Sequence, residues 1–196
     1  MADQLSLLAQ PKPKGPNLVY FDLETARSAD EVGGWNNIRG MGMACAVCFD
    51  SHDGQFHVYE EKEVPALVGH LERADLVVGF NHVSFDYEVL MGYTVLDLRD
   101  CTRNLDLMVD LEKTLQHRPK LDAVAGETLG ESKTAVGTDA IKWWQEGKIM
   151  AIAEYCCFDV KVTKLVHEYG AKNGLVKYRN RFNQSIEIPV DWSLPE

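Results

Sequence analysis

The stretch that most constrains this chain is "NLVYFDLET", residues 17–25. Leu18, Val19, Tyr20 and Phe21 read as a buried β-strand, and the strand runs directly into Asp22 and Glu24. Side chains alternate along a strand, so Asp22 and Glu24 share a face while Leu23 turns back toward the interior. Two carboxylates held that close repel, and burying either without a partner costs several kcal/mol. A hard divalent cation such as Mg²⁺ or Mn²⁺ removes both penalties. A strand that simply ends in water is the other reading, and the pair alone does not choose between them. What decides is whether the chain brings further carboxylates to the same place.

The surrounding pattern predicts one α/β unit from Asn17 onward. "GMACAVCFD" (42–50) and "QFHVYEE" (55–61) are a second and third strand, joined by the turn signal "DSHDG". "VPALVGHLERA" has helical spacing, with Leu67, Val68 and Leu71 on one side. "DLVVGF" (75–80) is the continuous apolar run of a strand buried on both faces, and Ser84 can cap the helix that begins after it. A short strand is expected at 104–108 and helices at 107–116, 121–129, 138–146 and from Ile149 to Lys172. An edge strand in "QSIEIPVDW" suits Pro189. The order gives a mixed sheet with antiparallel edge strands, flanked by helices. Residues 1–16 read as a flexible leader, 17–172 as the domain, and 173–196 as an extension packing on it.

Composition bounds the rest. The 196 residues carry a formal net charge of −10 and no Lys/Arg block, which argues against a protein that coats long duplexes. No apolar run approaches the about 20 residues of a membrane span, so no membrane partner is expected. Five cysteines, an odd number including the adjacent Cys156 and Cys157, do not form a disulfide framework; a reducing, cytoplasmic location is expected. Cys45 and Cys48 lie on opposite faces of a strand and make a poor zinc pair.

More carboxylates follow. In "NHVSFD" Asn81 closes the fourth strand, and Phe85 and Asp86 enter the next helix, where the helix dipole alone would favour an Asp. In "YCCFD" Tyr155 and Asp159 stack one turn apart on a helix. D-x-E, then N-x-x-x-F-D, then Y-x-x-x-D, in that order over residues 17–170, resemble the three motifs of the DEDD 3′–5′ exonucleases. "KLDAVAGETLGESKT" is similar to the segment between the second and third motifs in family B polymerase proofreading domains. One subclass has His five residues before the last Asp, where this chain has Glu154. The other, DEDDy, has Tyr four before it, as Tyr155 is.

The resemblance implies a ribonuclease H-like fold, a five-stranded mixed sheet flanked by helices. It also implies two Mg²⁺ or Mn²⁺ ions, about 3.5–4 Å apart in such sites. Asp22, Glu24 and Asp159 would hold the ion on the side of the attacking water. Asp22 and Asp86 would hold the ion beside the leaving 3′-oxygen, and Tyr155 would orient the water. The activity implied is 3′–5′ hydrolysis of single-stranded DNA or RNA with release of nucleoside 5′-monophosphates. The implied partner is a nucleic-acid 3′ end, with a polymerase, helicase or other replication or repair partner in trans. A non-catalytic nucleic-acid or protein-binding module that keeps the fold is the alternative, and an oligoribonuclease-like trimming enzyme is a second enzymatic one.

For the terminal nucleotide, Trp35 in the Gly-rich "EVGGWNNIRGMG", Phe85 and Asn81 are the substrate-binding candidates, with a core role open for Phe85. Lys133 and Lys142 are cations that could meet a phosphate. Trp143 and Trp144 suit a helix anchor, the cysteine pair suits packing, and His82 and His167 suit structural or surface roles.

Overall fold

The structure, a computed structural model, describes residues 15–130 and 139–193. Most of the expected leader, Lys133 and the end of the 120–134 segment lie outside the described residues. Five strands form one mixed sheet in the order β3-β2-β1-β4-β5: β1 (Leu18–Thr25), β2 (Met43–Asp50), β3 (Gln55–Glu60), β4 (Leu76–Gly79) and β5 (Asn104–Asp106). β1–β2 and β2–β3 are antiparallel; β1–β4 and β4–β5 are parallel. This is an α/β sheet of the ribonuclease H-like kind, flanked by helices.

The alternation in β1 sorts its side chains into two layers. Val19, Phe21 and Leu23 join Ala46, Cys48 and Val77 beneath α1 (Val64–Glu72), α2 (Asp86–Leu90) and α3 (Leu98–Cys101). Leu18 and Tyr20 join Cys45, Val47 and Val78 beneath α4 (Leu107–Leu115), α5 (Leu121–Leu129), α6 (Asp139–Gln145) and α7 (Ile149–Asn173). Both faces are buried, which is why the strand reads as an unbroken apolar run. Each large apolar side chain removed from water there contributes about 1.5–3 kcal/mol. Asp22 and Glu24 continue the parity of Leu18 and Tyr20, so they face the α7 layer.

Several local expectations are corrected. Ser84 does not cap α2: Phe85 occupies the cap position without a side-chain bond, and the helix starts at Asp86. The residues Leu107–Met108 belong to α4, because Asp106 ends β5 and caps that helix through the Met108 and Val109 amides. The strand around Pro189 is not an edge of the main sheet. β7 (Ser185–Pro189) pairs instead with β6 (Leu175–Arg179), an element the sequence reading did not separate, in a two-stranded sheet. Its docking is specific: the Thr128 hydroxyl on α5 bonds both backbone groups of Lys177 at 3.0 Å, and Trp192 donates to Asp110 on α4. Trp192 packs so closely on α7 that a Cβ at Gly170 would lie 2.3 Å from its ring.

His82 and His167 are both buried, so a surface role does not hold for either. His167 meets the Tyr20 hydroxyl through Nδ1 at 2.9 Å and stacks on Trp192. His82 is a buried residue of the loop after β4, its Nε2 3.1 Å from the Asn104 side-chain oxygen. Cys45 and Cys48 fall in opposite core layers, while Trp143 and Trp144 pack against the core as helix anchors. Among the described residues no helix is long and apolar enough to cross a membrane.

Candidate metal centre

The carboxylates meet at the C-terminal end of the central strand. β4 pairs with β1 only as far as Tyr20↔Val78, whereas β2 follows it to Thr25, with a register shift between Glu24 and Thr25. Past Tyr20, therefore, one side of β1 has no strand beside it. The Leu23 amide on that side is satisfied by a side chain: it donates to Asp86 Oδ1 at 3.0 Å. Asp86 is 3% exposed, and this bond fixes it against the strand that carries Asp22 and Glu24. An Asp placed only for the helix dipole would sit in water. This one is buried against a backbone donor.

From the opposite layer, α7 crosses β1 with Ile152, Cys156, Val160 and Thr163 buried toward the sheet. Tyr155 and Asp159 lie one turn apart and are also buried. Asp22, Glu24 and Asp159 each bring a carboxylate oxygen within 4.8 Å of the other two. Asp86 lies outside that trio, but its charge acts on Asp22.

The electrostatics show the cost of the arrangement. Burial pushes the Asp22 carboxyl well above the carboxylate range, and the charges of Asp86, Glu24 and Asp159 push it further. Burial raises Asp86 to about 7, against the pull of the Leu23 amide and its own. Among the described residues no Lys or Arg pairs with Asp22 or Asp86. A cluster of hard oxygen donors of like charge suits a divalent cation of the Mg²⁺ or Mn²⁺ type.

Three neighbours make contacts that the sequence does not signal, although it marks Trp143 and Cys156 as packing residues. The Cys156 thiol lies 3.3 Å from the Asp22 carbonyl oxygen and 3.5 Å from its Oδ2, so it steadies β1 at Asp22 as well as packing. Trp143 places its ring 6.1 Å from Tyr155, backing the phenol. Arg118 donates to Asn81 Oδ1 at 2.7 Å.

Asn81 itself has φ 71°, a left-handed conformation that Asn tolerates, and its amide donates to Asp106. Trp35 is 70% exposed and its ring lies 6.3 Å from Phe85, which packs partly into the core. The loop bearing Trp35 is tied down by Arg39, which donates to Glu88 on α2 at 3.0 Å. Lys142 is exposed on α6.

No protein-family model matches the sequence, and no curated protein does. Among solved structures, the chain is similar to the family B DNA polymerase of the hyperthermophilic archaeon Pyrobaculum calidifontis, with a TM-score of 0.60 at 18% identity. The match covers 81% of this chain but 25% of that polymerase, so the chain spans about a quarter of its length. Similarity at that identity shows a shared fold.

Proposed function

We propose that this protein is a metal-dependent 3′–5′ exonuclease of the DEDDy type, acting on single-stranded DNA or RNA ends. The observation that carries it is the convergence of Asp22, Glu24 and Asp159 from a strand and the helix packed on it, with Asp86, buried in the opposite layer, bonded to the same strand. A structural role would not gather Asp86, Glu24 and Asp159 where their charges add to the burial that already raises the Asp22 pKa. The fold shared with a DNA polymerase supports a nucleic-acid substrate.

Asp22, Glu24 and Asp159 would hold one divalent ion, and Asp22 with Asp86 a second. Bound there, the ions would lower the pKa of water and stabilise charge on the phosphoryl and leaving oxygens. The chain's own groups do the rest. The Leu23 amide keeps Asp86 aimed at the site, and the Cys156 thiol steadies Asp22. The Tyr155 hydroxyl orients the attacking water, and the Trp143 ring backs its phenol. Trp35 and Phe85 form an aromatic platform on which the last base stacks.

The test uses 5′-labelled and 3′-labelled single strands, as DNA and as RNA, with Mn²⁺ or with chelator. A descending ladder from the 5′-labelled strand, abolished by chelator and by Asp22→Ala, is expected. Mononucleotide release from the 5′ end, or undiminished activity of Asp22→Ala, would overturn the proposal.

A further inference from the structure

An acidic protein that grips a single strand needs cations outside its metal centre. The structure offers a connected set that starts at Asn81, just after β4. Arg118, whose guanidinium holds the Asn81 side chain and lies 3.7 Å from partly exposed Glu112, directly follows His117. His117 lies across the gap to the β6–β7 hairpin, with Nε2 3.1 Å from the Tyr178 hydroxyl and the two rings 5.7 Å apart. Together with Asn180, Arg181 and Phe182 these two residues line a pocket of about 580 Å³. It lies between the residues that follow α4 and the β6–β7 hairpin.

The hairpin tip is built to present its side chains. Asn180 Oδ1 accepts from the amides of Phe182 and Gln184, and Asn183 takes the left-handed conformation that closes the turn. Arg179 is committed to the scaffold, with Nε on Glu127 and Nη1 on Asn183. Arg181 differs: its guanidinium lies over the Phe182 ring at 4.9 Å, and it forms no ion pair with a described residue. Phe182 is 69% exposed. A rigid turn that holds an aromatic ring and an unneutralised guanidinium in water contributes nothing to the core. Stacked aromatic and guanidinium planes beside a cationic path are what a single strand requires.

We infer that Arg118 and the hairpin tip at Arg181–Phe182 form a track for the part of a single-stranded nucleic acid upstream of its 3′ end. This rests on the proposed action at 3′ ends. Phe182 and Tyr178 take bases by stacking, while Arg118 and Arg181 take phosphates. Every base has a π-face, so the track accepts any sequence.

Affinity of the full chain for labelled single strands of about three and about eight nucleotides, measured by fluorescence anisotropy in chelator, tests this. DNA and RNA arms show whether the 2′-hydroxyl matters. Wild type should bind the longer strand more tightly. Phe182→Ala should weaken the longer strand by about fivefold or more relative to the shorter. Arg181→Ala should lower the slope of log affinity against log salt by about 0.7 for the longer strand. Lys172→Ala, which removes the same charge beside the start of β1, should leave the ratio unchanged. If wild type shows no length preference, or Phe182→Ala and Arg181→Ala keep it, the track is wrong even where metal-dependent hydrolysis is present. Hairpin-dependent length preference without hydrolysis would instead sink the nuclease proposal and leave the track standing.

Discussion

Replacing Asp159 with Asn separates the cost of the carboxylate cluster from its use. Asp159 contributes one of three oxygens lying within 4.8 Å of one another. At that distance a pair of unit charges repels by about 1 kcal/mol at the dielectric of water and about 3.5 kcal/mol at an effective value near 20. Asp22 and Glu24 are partly exposed, so the lower end applies. Removing the Asp159 charge should stabilise the metal-free protein by about 1–2 kcal/mol, a rise of about 2–8 °C in melting temperature. Wild type should gain about 1.4 kcal/mol when a divalent ion is tenfold above its dissociation constant, and Asp159→Asn clearly less.

The effect has a pH signature. Asp22 and Asp86 have folded pKa values raised above their unfolded ones, Asp86 to about 7. The protonated form of Asp86 therefore stabilises the fold at low pH, and that stability is lost as pH rises through about 7; Asp22 acts in the same direction. The gap between variant and wild type should widen from pH 5 to pH 8. Thermal melts of both proteins at the two pH values, in chelator and in Mn²⁺, measure all of this. A variant that melts below wild type in chelator at pH 8, yet gains equally from Mn²⁺, would refute the reasoning.

Tyr155→Phe keeps the ring that Trp143 backs and should slow hydrolysis by about 10²-fold with the fold intact; rates within twofold of wild type would make the hydroxyl structural. Trp35→Ala, at an exposed ring, should leave stability unchanged and weaken binding of the terminal nucleotide by about 1–3 kcal/mol, measured as KM on a short strand. Buried His167 has its pKa pushed down to about 4. Stability that is complete above its unfolded pKa of about 6.5 should be lost as pH falls toward 4, by about 3 kcal/mol in all, and denaturant melts of His167→Leu should show a shallower acid slope. Gly170→Ala drives a methyl into the Trp192 ring and should cost about 1–3 kcal/mol in the same melts.

Much of the centre was legible because it rests on periodicity. Parity along β1 put Asp22 and Glu24 on one face, and the helical repeat put Tyr155 above Asp159; both are local and survive without tertiary knowledge. The long helix was expected from Ile149 to Lys172 and runs to Asn173, because Gly174 in the left-handed conformation ends it. Asp86 was harder. Its first-turn position fits the helix dipole equally well, and only the short pairing of β4 leaves the Leu23 amide for it to accept. The Cys156 thiol and Arg118 gave no signal, since each acts on a residue far away in sequence. β6 was missed for a related reason: "LVKYR" carries a weak alternation of its own, and its partner and its α5 anchor become visible only once the chain folds back.

The claim on which everything else depends is that four carboxylates converge as one metal centre. Titration of Mn²⁺ into the purified protein, followed by electron paramagnetic resonance, addresses it without reference to any substrate. Wild type should take up two ions per chain, close enough to give a spin-coupled signal, and Asp22→Ala should lose that signal. Absence of saturable Mn²⁺ binding at millimolar concentration, or the same coupled signal in Asp22→Ala, would contradict it.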